Sequence, residues 1–245
     1  MEYPRLLECL DADYTRLRRV AARDLTAPVP SCPGWTVDDL VRHVGLVYRH
    51  KVESMRLGRQ PESWPPDTSG EAALDLLDRQ YRDLLAEFAA RKPDEPTVTW
   101  YTPEQTVGFW IRRMAQETVI HRVDAELALG EQFAEIPDDL ALDGIDEVLG
   151  FVAFGSVEWH EYATGLPGAA LPPVLVRAGE RRWLVRAAPE AVTVTAGDGA
   201  AGATISGAPR DVLLWLWRRA DGGVDRSGDQ ALIDRLRLLL HDATQ

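Results

Sequence analysis

Two histidines and a glutamate are the side chains of this 245-residue sequence whose types and spacing could do chemistry. Glu117 and His121 are four residues apart in a segment with a helical pattern, so they would lie one turn apart on one helix face. His43 belongs to a separate segment with its own helical pattern. If these two helices pack side by side, two imidazoles and a carboxylate converge. Three such ligands with a fourth position open are how proteins hold a catalytic divalent metal, most often zinc.

The neighbours of these residues indicate how the ligands would be held. Asp39, one turn before His43, and Asp124, one turn after His121, are candidate hydrogen-bond acceptors for the second ring nitrogens. His50 lies two turns after His43 on nearly the same face, and it is the alternative histidine ligand. A plain hydrogen-bonded pair on a helix surface remains the other explanation of the E-x-x-x-H spacing.

Other chemistry-bearing residues point to no competing site. Cys32 lies just before a predicted helix, but no histidine is near it in sequence, which disfavours a nucleophilic thiol. Trp35, Trp100 and Trp110 are the tryptophans that we expect near a pocket. The sequence contains no P-loop, no GxGxxG and no G-x-S-x-G elbow, so nucleotide binding and serine-hydrolase chemistry have no support.

Composition excludes several classes of partner. The net charge of −12 argues against nucleic acid and against anionic membrane surfaces, because both need a basic protein face. No apolar run approaches the roughly 20 residues of a membrane span. The two cysteines do not make a disulfide framework, and the acidic, amphipathic N-terminus is not a signal peptide. We therefore expect a cytoplasmic protein.

Apolar residues spaced three and four apart predict a helical first half. The predicted helices run from Leu6 to Val20, from an N-cap at Thr36 to Leu57, from Thr68 or Ser69 to Phe88, from Val107 to Leu129, and from Asp138 to Tyr162. Thr68 and Glu71 fit a capping box at the start of the third. The first four have the length and amphipathicity of a four-helix bundle.

The pattern changes after the Gly/Pro-rich stretch TGLPGAALPP. Two strands around Gly179, then the strands AVTVTAG and GATISG, precede a helix in APRDVLLWLWRRADG and a last helix from Asp229 to His241. The predicted fold class is therefore α+β, mainly α. The predicted domains are residues 1–165, a helical bundle with an additional helix, and residues 166–245, a small α+β domain.

Several stretches resemble one known family. VPSCPGWTVDDLVRHVG, followed about 70 residues later by WIRRMAQETVIHRVDAELA, is similar to the mycothiol-dependent maleylpyruvate isomerase family. The pattern RRWLVR…VTVTAGDG…ATISGAPRDVLLWLWRR…GD resembles the same family's second domain. The resemblance implies a DinB-like four-helix bundle followed by an α+β domain similar to sterol carrier protein 2.

The resemblance also implies a ligand set and a cosubstrate. It makes His43, Glu117 and His121 the ligands of a divalent metal, with Zn²⁺ the expected ion, and mycothiol the cosubstrate. Gln116 stands where many relatives carry a histidine. An actinobacterial source is implied too, and it agrees with the strong arginine bias, since lysine occurs only at positions 51 and 92 among 27 basic residues.

An anionic substrate would need an arginine. We expect the pocket to lie in a cleft between the two domains. The candidate arginines are Arg82, Arg112 and Arg113 in the bundle and Arg218 and Arg219 in the second domain, with Arg219 the catalytic candidate and with Trp35, Arg82 and Arg113 the candidates for binding the thiol cofactor.

The expected function is activation of a low-molecular-weight thiol as a thiolate, for isomerisation of, or transfer to, a maleylpyruvate-like electrophile. Two alternatives stay open. One is a non-enzymatic protein that binds a small molecule or lipid and keeps a structural or vestigial metal site. The other is a metal-dependent hydrolase that uses water and needs no thiol. Either a monomer or a homodimer is compatible with the sequence.

Overall fold

The computed structural model describes residues 1–159 and 166–244. Contacts within the chain divide it into two compact units, Met1–Glu135 and Ile136–Gln245. The first unit contains four long helices: α1 (Tyr3–Ala21), α2 (Val37–Leu57), α3 (Ala73–Ala90) and α4 (Val107–Ala128). This confirms the predicted order of helices, with ends that differ by a few residues.

The four helices pack as a bundle around one apolar core. Helix α1 packs against α4, and α2 packs against both α3 and α4. The apolar residues three and four apart on each helix face inward, as an amphipathic helix requires. Fully buried members of this core include Leu10, Leu17, Leu40, Val44, Leu77, Leu84 and Met114.

The start of α2 is fixed by its first residues, whereas the predicted start of α3 is wrong. Thr36 caps α2 in a capping box, in which its hydroxyl accepts from the backbone of Asp39 and the Asp39 carboxylate accepts from the backbone of Thr36. Helix α3 instead begins after Ala72, with no side-chain cap. The reason is that residues Thr68 to Glu71 close a separate turn, in which the Thr68 carbonyl accepts from the Glu71 amide.

Helix α4 carries polar side chains into the bundle interior. The fully buried Arg122 donates to Asp13 of α1 at 2.9 Å and to Glu126 at 2.7 Å. Arg16 of α1 donates to Glu126 at 2.7 Å. Burial raises the pKa of Asp13 to about 6, although the nearby Arg122 opposes that rise. These ion pairs hold α1 against α4. They lie on a side of α4 whose burial is not predicted by the spacing of apolar residues.

The second unit is a five-stranded mixed sheet with helices. Its strands have the spatial order β3-β2-β1-β4-β5, with β1 parallel to β4 and the other pairs antiparallel. Its elements are α5 (Asp138–Glu158), β1 (Val174–Ala178), β2 (Arg181–Ala187), β3 (Val192–Ala196), β4 (Ala203–Gly207), α6 (Pro209–Leu216), β5 (Val224–Gly228) and α7 (Gln230–Ala243). The fold class, mainly α with a small α+β unit, is confirmed.

Two features of this unit differ from the sequence-based expectation. The sequence predicts that the fifth helix belongs with the bundle, in a domain ending at residue 165, but α5 packs against α6, α7 and β3. Strand β5 was not predicted, because its sequence VDRSG is polar and mostly exposed. The predicted end of α5 at Tyr162 lies outside the described residues. None of the helices that the structure describes is both long enough and apolar enough to cross a bilayer.

Candidate metal centre

The packing of α2 on α4 brings the three candidate ligands together. The Tyr48 hydroxyl of α2 and the Thr118 hydroxyl of α4 are 2.5 Å apart in the core, which fixes how the two helices align. His43 Nε2 then lies 3.3 Å from Glu117 Oε1, and His121 Nε2 lies 3.2 Å from the same oxygen. The donor atoms of all three side chains lie within 4.8 Å of one another.

This cluster is buried on one flank and open on the other. The side chain of His43 is 37% exposed, whereas those of Glu117 and His121 are 15% and 12% exposed. His43 is therefore the part of the cluster that is most exposed to solvent. Two imidazole nitrogens and a carboxylate oxygen with one accessible flank have the composition of an open catalytic site for a divalent metal.

Asp124 fixes the orientation of His121. Its Oδ2 lies 2.9 Å from His121 Nδ1, and its Oδ1 accepts from the Ser31 hydroxyl at 2.5 Å. Since a carboxylate only accepts, Nδ1 of His121 carries a proton, and Nε2 is the nitrogen left to face the cluster. The prediction for Asp124 is confirmed. The parallel prediction for Asp39 is wrong, because that carboxylate is engaged in the capping box of α2.

The charges of the cluster are strongly coupled. Burial alone would raise the pKa of Glu117, but Arg113, His121 and His43 together hold it well below the usual carboxyl range. Burial would lower the pKa of His121, but Glu117 and Asp124 outweigh it and raise that pKa to about 9. The site therefore favours positive charge beside Glu117, supplied either by a proton on His121 or by a cation in the same place.

Comparisons with known proteins match most of the length of the chain. The family model described as "Mycothiol maleylpyruvate isomerase N-terminal domain" matches residues 7–126, which include the whole cluster. The model described as "MDMPI C-terminal domain" matches residues 139–235. The chain belongs to the mycothiol-dependent maleylpyruvate isomerase family. This confirms the resemblance drawn from the sequence motifs.

Solved structures carry the same fold as this family member. The crystal structure of the mycothiol-dependent maleylpyruvate isomerase aligns with a TM-score of 0.63 at 15% identity, over 94% of this chain and 95% of that chain. A crystal structure of a histidine-to-alanine mutant of that isomerase aligns over the same shares, at 15% identity, with a TM-score of 0.60. No curated protein sequence matches the chain.

The remaining predicted binding residues of this maleylpyruvate isomerase family member lie at different distances from the cluster. The Trp35 ring is centred 5.0 Å from the His43 ring. Arg113 donates from Nη2 to Glu117 Oε2, so its guanidinium orients the carboxylate of the cluster. Their roles in cofactor binding stay predictions.

Two of the predicted arginines contact residues that are close to them in the chain. Arg82 is exposed on α3 and donates to the backbone carbonyl of Asp78. Arg219 belongs to the second unit, where its guanidinium lies 5.8 Å from the centre of the Trp217 ring and donates to the Trp217 carbonyl. The catalytic role of Arg219 and the binding role of Arg82 stay predictions.

His50, the alternative histidine ligand, does not join the cluster, and its neighbour Lys51 is a residue that the sequence patterns did not single out. His50 packs edge-on against Trp64, with ring centres 4.8 Å apart. The next residue, Lys51, places its Nζ 4.7 Å from the centre of the Trp110 ring on α4. One signal could have found it: Lys51 is one of only two lysines, and it follows His43 by eight residues, which is near two turns of a helix.

Proposed function

We propose that this chain is a metal-dependent enzyme that uses a low-molecular-weight thiol, mycothiol, to isomerise a maleylpyruvate-like electrophile. The observation that carries the proposal is the convergence of His43, Glu117 and His121, with donor atoms within 4.8 Å, at an accessible flank of the bundle. Membership of a family named for this thiol and this isomerisation supports the choice of reaction.

The donor set fits a divalent metal such as zinc. His43 Nε2, Glu117 Oε1 and His121 Nε2 would be its protein ligands, and N/O ligands of this kind suit zinc and several neighbouring ions. When bound, the metal would supply the positive charge that deprotonates a coordinated thiol, whose ordinary pKa is about 8.5. Asp124 would keep the proton on His121 Nδ1, and Arg113 would keep Glu117 ionised.

The reaction assigned to the site is a cis–trans change that consumes no thiol. Sulfur adds to one carbon of a conjugated double bond, and the electron pair moves to the carbonyl-bearing side of the substrate. The former double bond is then single and rotates. When the electron pair returns, the carbon–sulfur bond breaks, the trans double bond forms and the thiol leaves unchanged. The open flank beside His43 gives both molecules access.

The alternative of a lipid binder gains no support from one cavity of the second unit. An apolar crevice beside α7 is lined by Leu171, Pro172, Val174, Val185, Leu232 and Leu236. Its volume is about 10 Å³, which is close to a single water-sized sphere. A lipid chain would not fit this crevice without rearrangement of its walls.

The test is thiol-dependent isomerisation by metal-loaded protein. We expect conversion of a cis-dienoate or maleylpyruvate to its trans isomer only when mycothiol and metal are both present. H121A should lose the metal and the turnover, whereas H50A should keep its metal because His50 lies outside the cluster. A consumed thiol would make the enzyme a transferase. Isomerisation without any thiol would contradict the proposal, and hydrolysis of a substrate without thiol would favour the hydrolase.

A further inference from the structure

Lys51 is a partly buried ammonium group without an acidic partner. Its Nζ faces the Trp110 ring at 4.7 Å and lies 3.4 Å from His50 Nδ1. Among the described residues, no carboxylate oxygen comes within ion-pairing distance of this nitrogen. Buried cations are ordinarily paired, so an ammonium without a carboxylate partner, on a side chain that is still partly exposed, is a candidate anion-binding group.

The surroundings of Lys51 leave its charge uncompensated. The pKa of His50 is lowered to about 4, first because of burial and then because of the Lys51 charge, so this imidazole is neutral at pH 7 and only accepts from the ammonium. Burial also lowers the pKa of Lys51 to about 8, with Arg113 acting in the same direction and Glu117 against it. The Lys51 side chain is still mainly protonated at neutral pH.

The carboxylate of Glu117, whose charge acts on Lys51, is already paired with other side chains. Glu117 is bonded to Arg113, His43 and His121. With a divalent cation among those ligands, this part of an acidic protein would carry net positive charge from the cation, Arg113 and Lys51. Local positive charge of this kind attracts anions despite the chain's net charge of −12.

Lys51 lies on the same pair of helices as the candidate metal ligands. His43 of α2 meets Glu117 of α4, and Lys51 of α2 meets Trp110 of α4, so the two helices run antiparallel. The eight residues from His43 to Lys51 span about 12 Å along the helix axis. That separation is between backbone positions, whereas the Lys51 ammonium lies near enough to the cluster to interact with the charge of Glu117. A reactive carbon near the cluster and a carboxylate near Lys51 can therefore belong to one short-chain molecule.

On this geometry, and resting on the proposed function, we propose that Lys51 binds a carboxylate of the electrophilic substrate and sets the distance between that carboxylate and the carbon that sulfur attacks. The Trp110 ring packs against the ammonium in a cation–π contact and holds it near the cluster. Lys51 is then a specificity-determining residue that selects carboxylate-bearing electrophiles over neutral ones.

The first test measures binding without turnover. Succinate is the probe because it carries carboxylates but no double bond, and succinamide is its uncharged counterpart. Binding to metal-loaded protein and to chelator-treated protein is followed by calorimetry and by tryptophan fluorescence, since Trp110 lies beside the site. We expect succinate, and not succinamide, to bind. K51M should weaken succinate binding about 10–100-fold, the size of one charge-assisted contact.

Matched variants separate charge from folding. K51R keeps a positive charge and should bind succinate more tightly than K51M. K92M removes the only other lysine, which is exposed at the end of α3, and should bind as the wild type does. K51Q is a second charge-free variant in case K51M does not fold. Equal succinate binding by wild type and K51M, or no succinate binding by metal-loaded wild type, would overturn the inference.

Steady-state kinetics separate this inference from the proposed function. K51M should raise KM for the electrophile at least tenfold and leave KM for the thiol unchanged. A rise in KM for the thiol alone would mean that the anion belongs to the cosubstrate, and the inference would be wrong while the isomerase stands. If no isomerisation occurs but succinate binding still requires Lys51, the proposed function fails and the carboxylate site remains.

Discussion

Replacing Asp124 with asparagine should weaken metal binding without removing any candidate ligand. The Asp124 carboxylate is fully buried and lies 2.9 Å from His121 Nδ1. Asparagine keeps the shape and can still accept that hydrogen bond, but it removes the negative charge that makes the His121 ring a stronger donor to a metal.

The expected loss of metal affinity follows from the position of the contact between Asp124 and His121. Loss of a partner to a metal-bound histidine typically weakens metal affinity about 10–100-fold, which corresponds to about 1.4–2.7 kcal/mol. Because Asp124 is shielded from water, we expect D124N to fall within this range instead of at the small values of exposed pairs.

The assay is a competition titration of zinc between the protein and a chelator of known affinity. S31A is the control, because the Ser31 hydroxyl bonds to the same carboxylate at 2.5 Å but does not touch His121. S31A should change zinc affinity much less than D124N does, because it leaves the Asp124 charge and its contact with His121 in place. If D124N binds zinc as tightly as S31A and wild type do, Asp124 does not support a metal ligand and the reading of the His121 ring is wrong.

Two further predictions concern the bundle that holds the site. Because the folded-state pKa of Asp13 is raised to about 6, the folded protein holds a proton between pH 4 and 6 that the unfolded chain releases. The contribution of Asp13 to stability therefore falls as pH rises through that window. D13N should remove this pH dependence, which amounts to about 3 kcal/mol in the free energy of unfolding, measured by urea unfolding at each pH. A slope that is unchanged in D13N would contradict the assignment. T36A should lower the free energy of unfolding by about 1 kcal/mol, because it breaks the capping box of α2. The melting temperature should fall while metal binding is kept. An unaltered melting temperature would show that the cap contributes nothing.

The helices of the first unit could be predicted from sequence because their signals are local. Thr36 and Asp39 mark the start of α2 by their types and spacing alone. The same kind of pattern misled at Thr68, where the residues close a turn that ends before the helix. Strand β5 had no local signal, since a polar edge strand is specified by its neighbour β4 and not by its own alternation.

The candidate site could be predicted only in part, because its chemistry depends on how two helices align. The i,i+4 spacing of Glu117 and His121 shows that they share a face, but only the packing of α2 on α4 shows which histidine of α2 meets them. His43 does so and His50 does not. The prediction that Asp39 orients the His43 ring is wrong because its carboxylate accepts from the backbone N–H of Thr36 at the start of α2. Lys51 was missed because its environment is made by Trp110 of another helix.

The most direct test of the central claim is the absorption spectrum of cobalt-substituted protein titrated with mycothiol. Cobalt takes similar N/O/S ligands to zinc and reports a bound thiolate by a charge-transfer band in the near ultraviolet. We expect one cobalt ion per chain, a band that grows with mycothiol in the wild type, and neither in H121A or E117Q. Stoichiometric cobalt in H121A, or a wild type that binds cobalt but shows no band with mycothiol, would contradict the account.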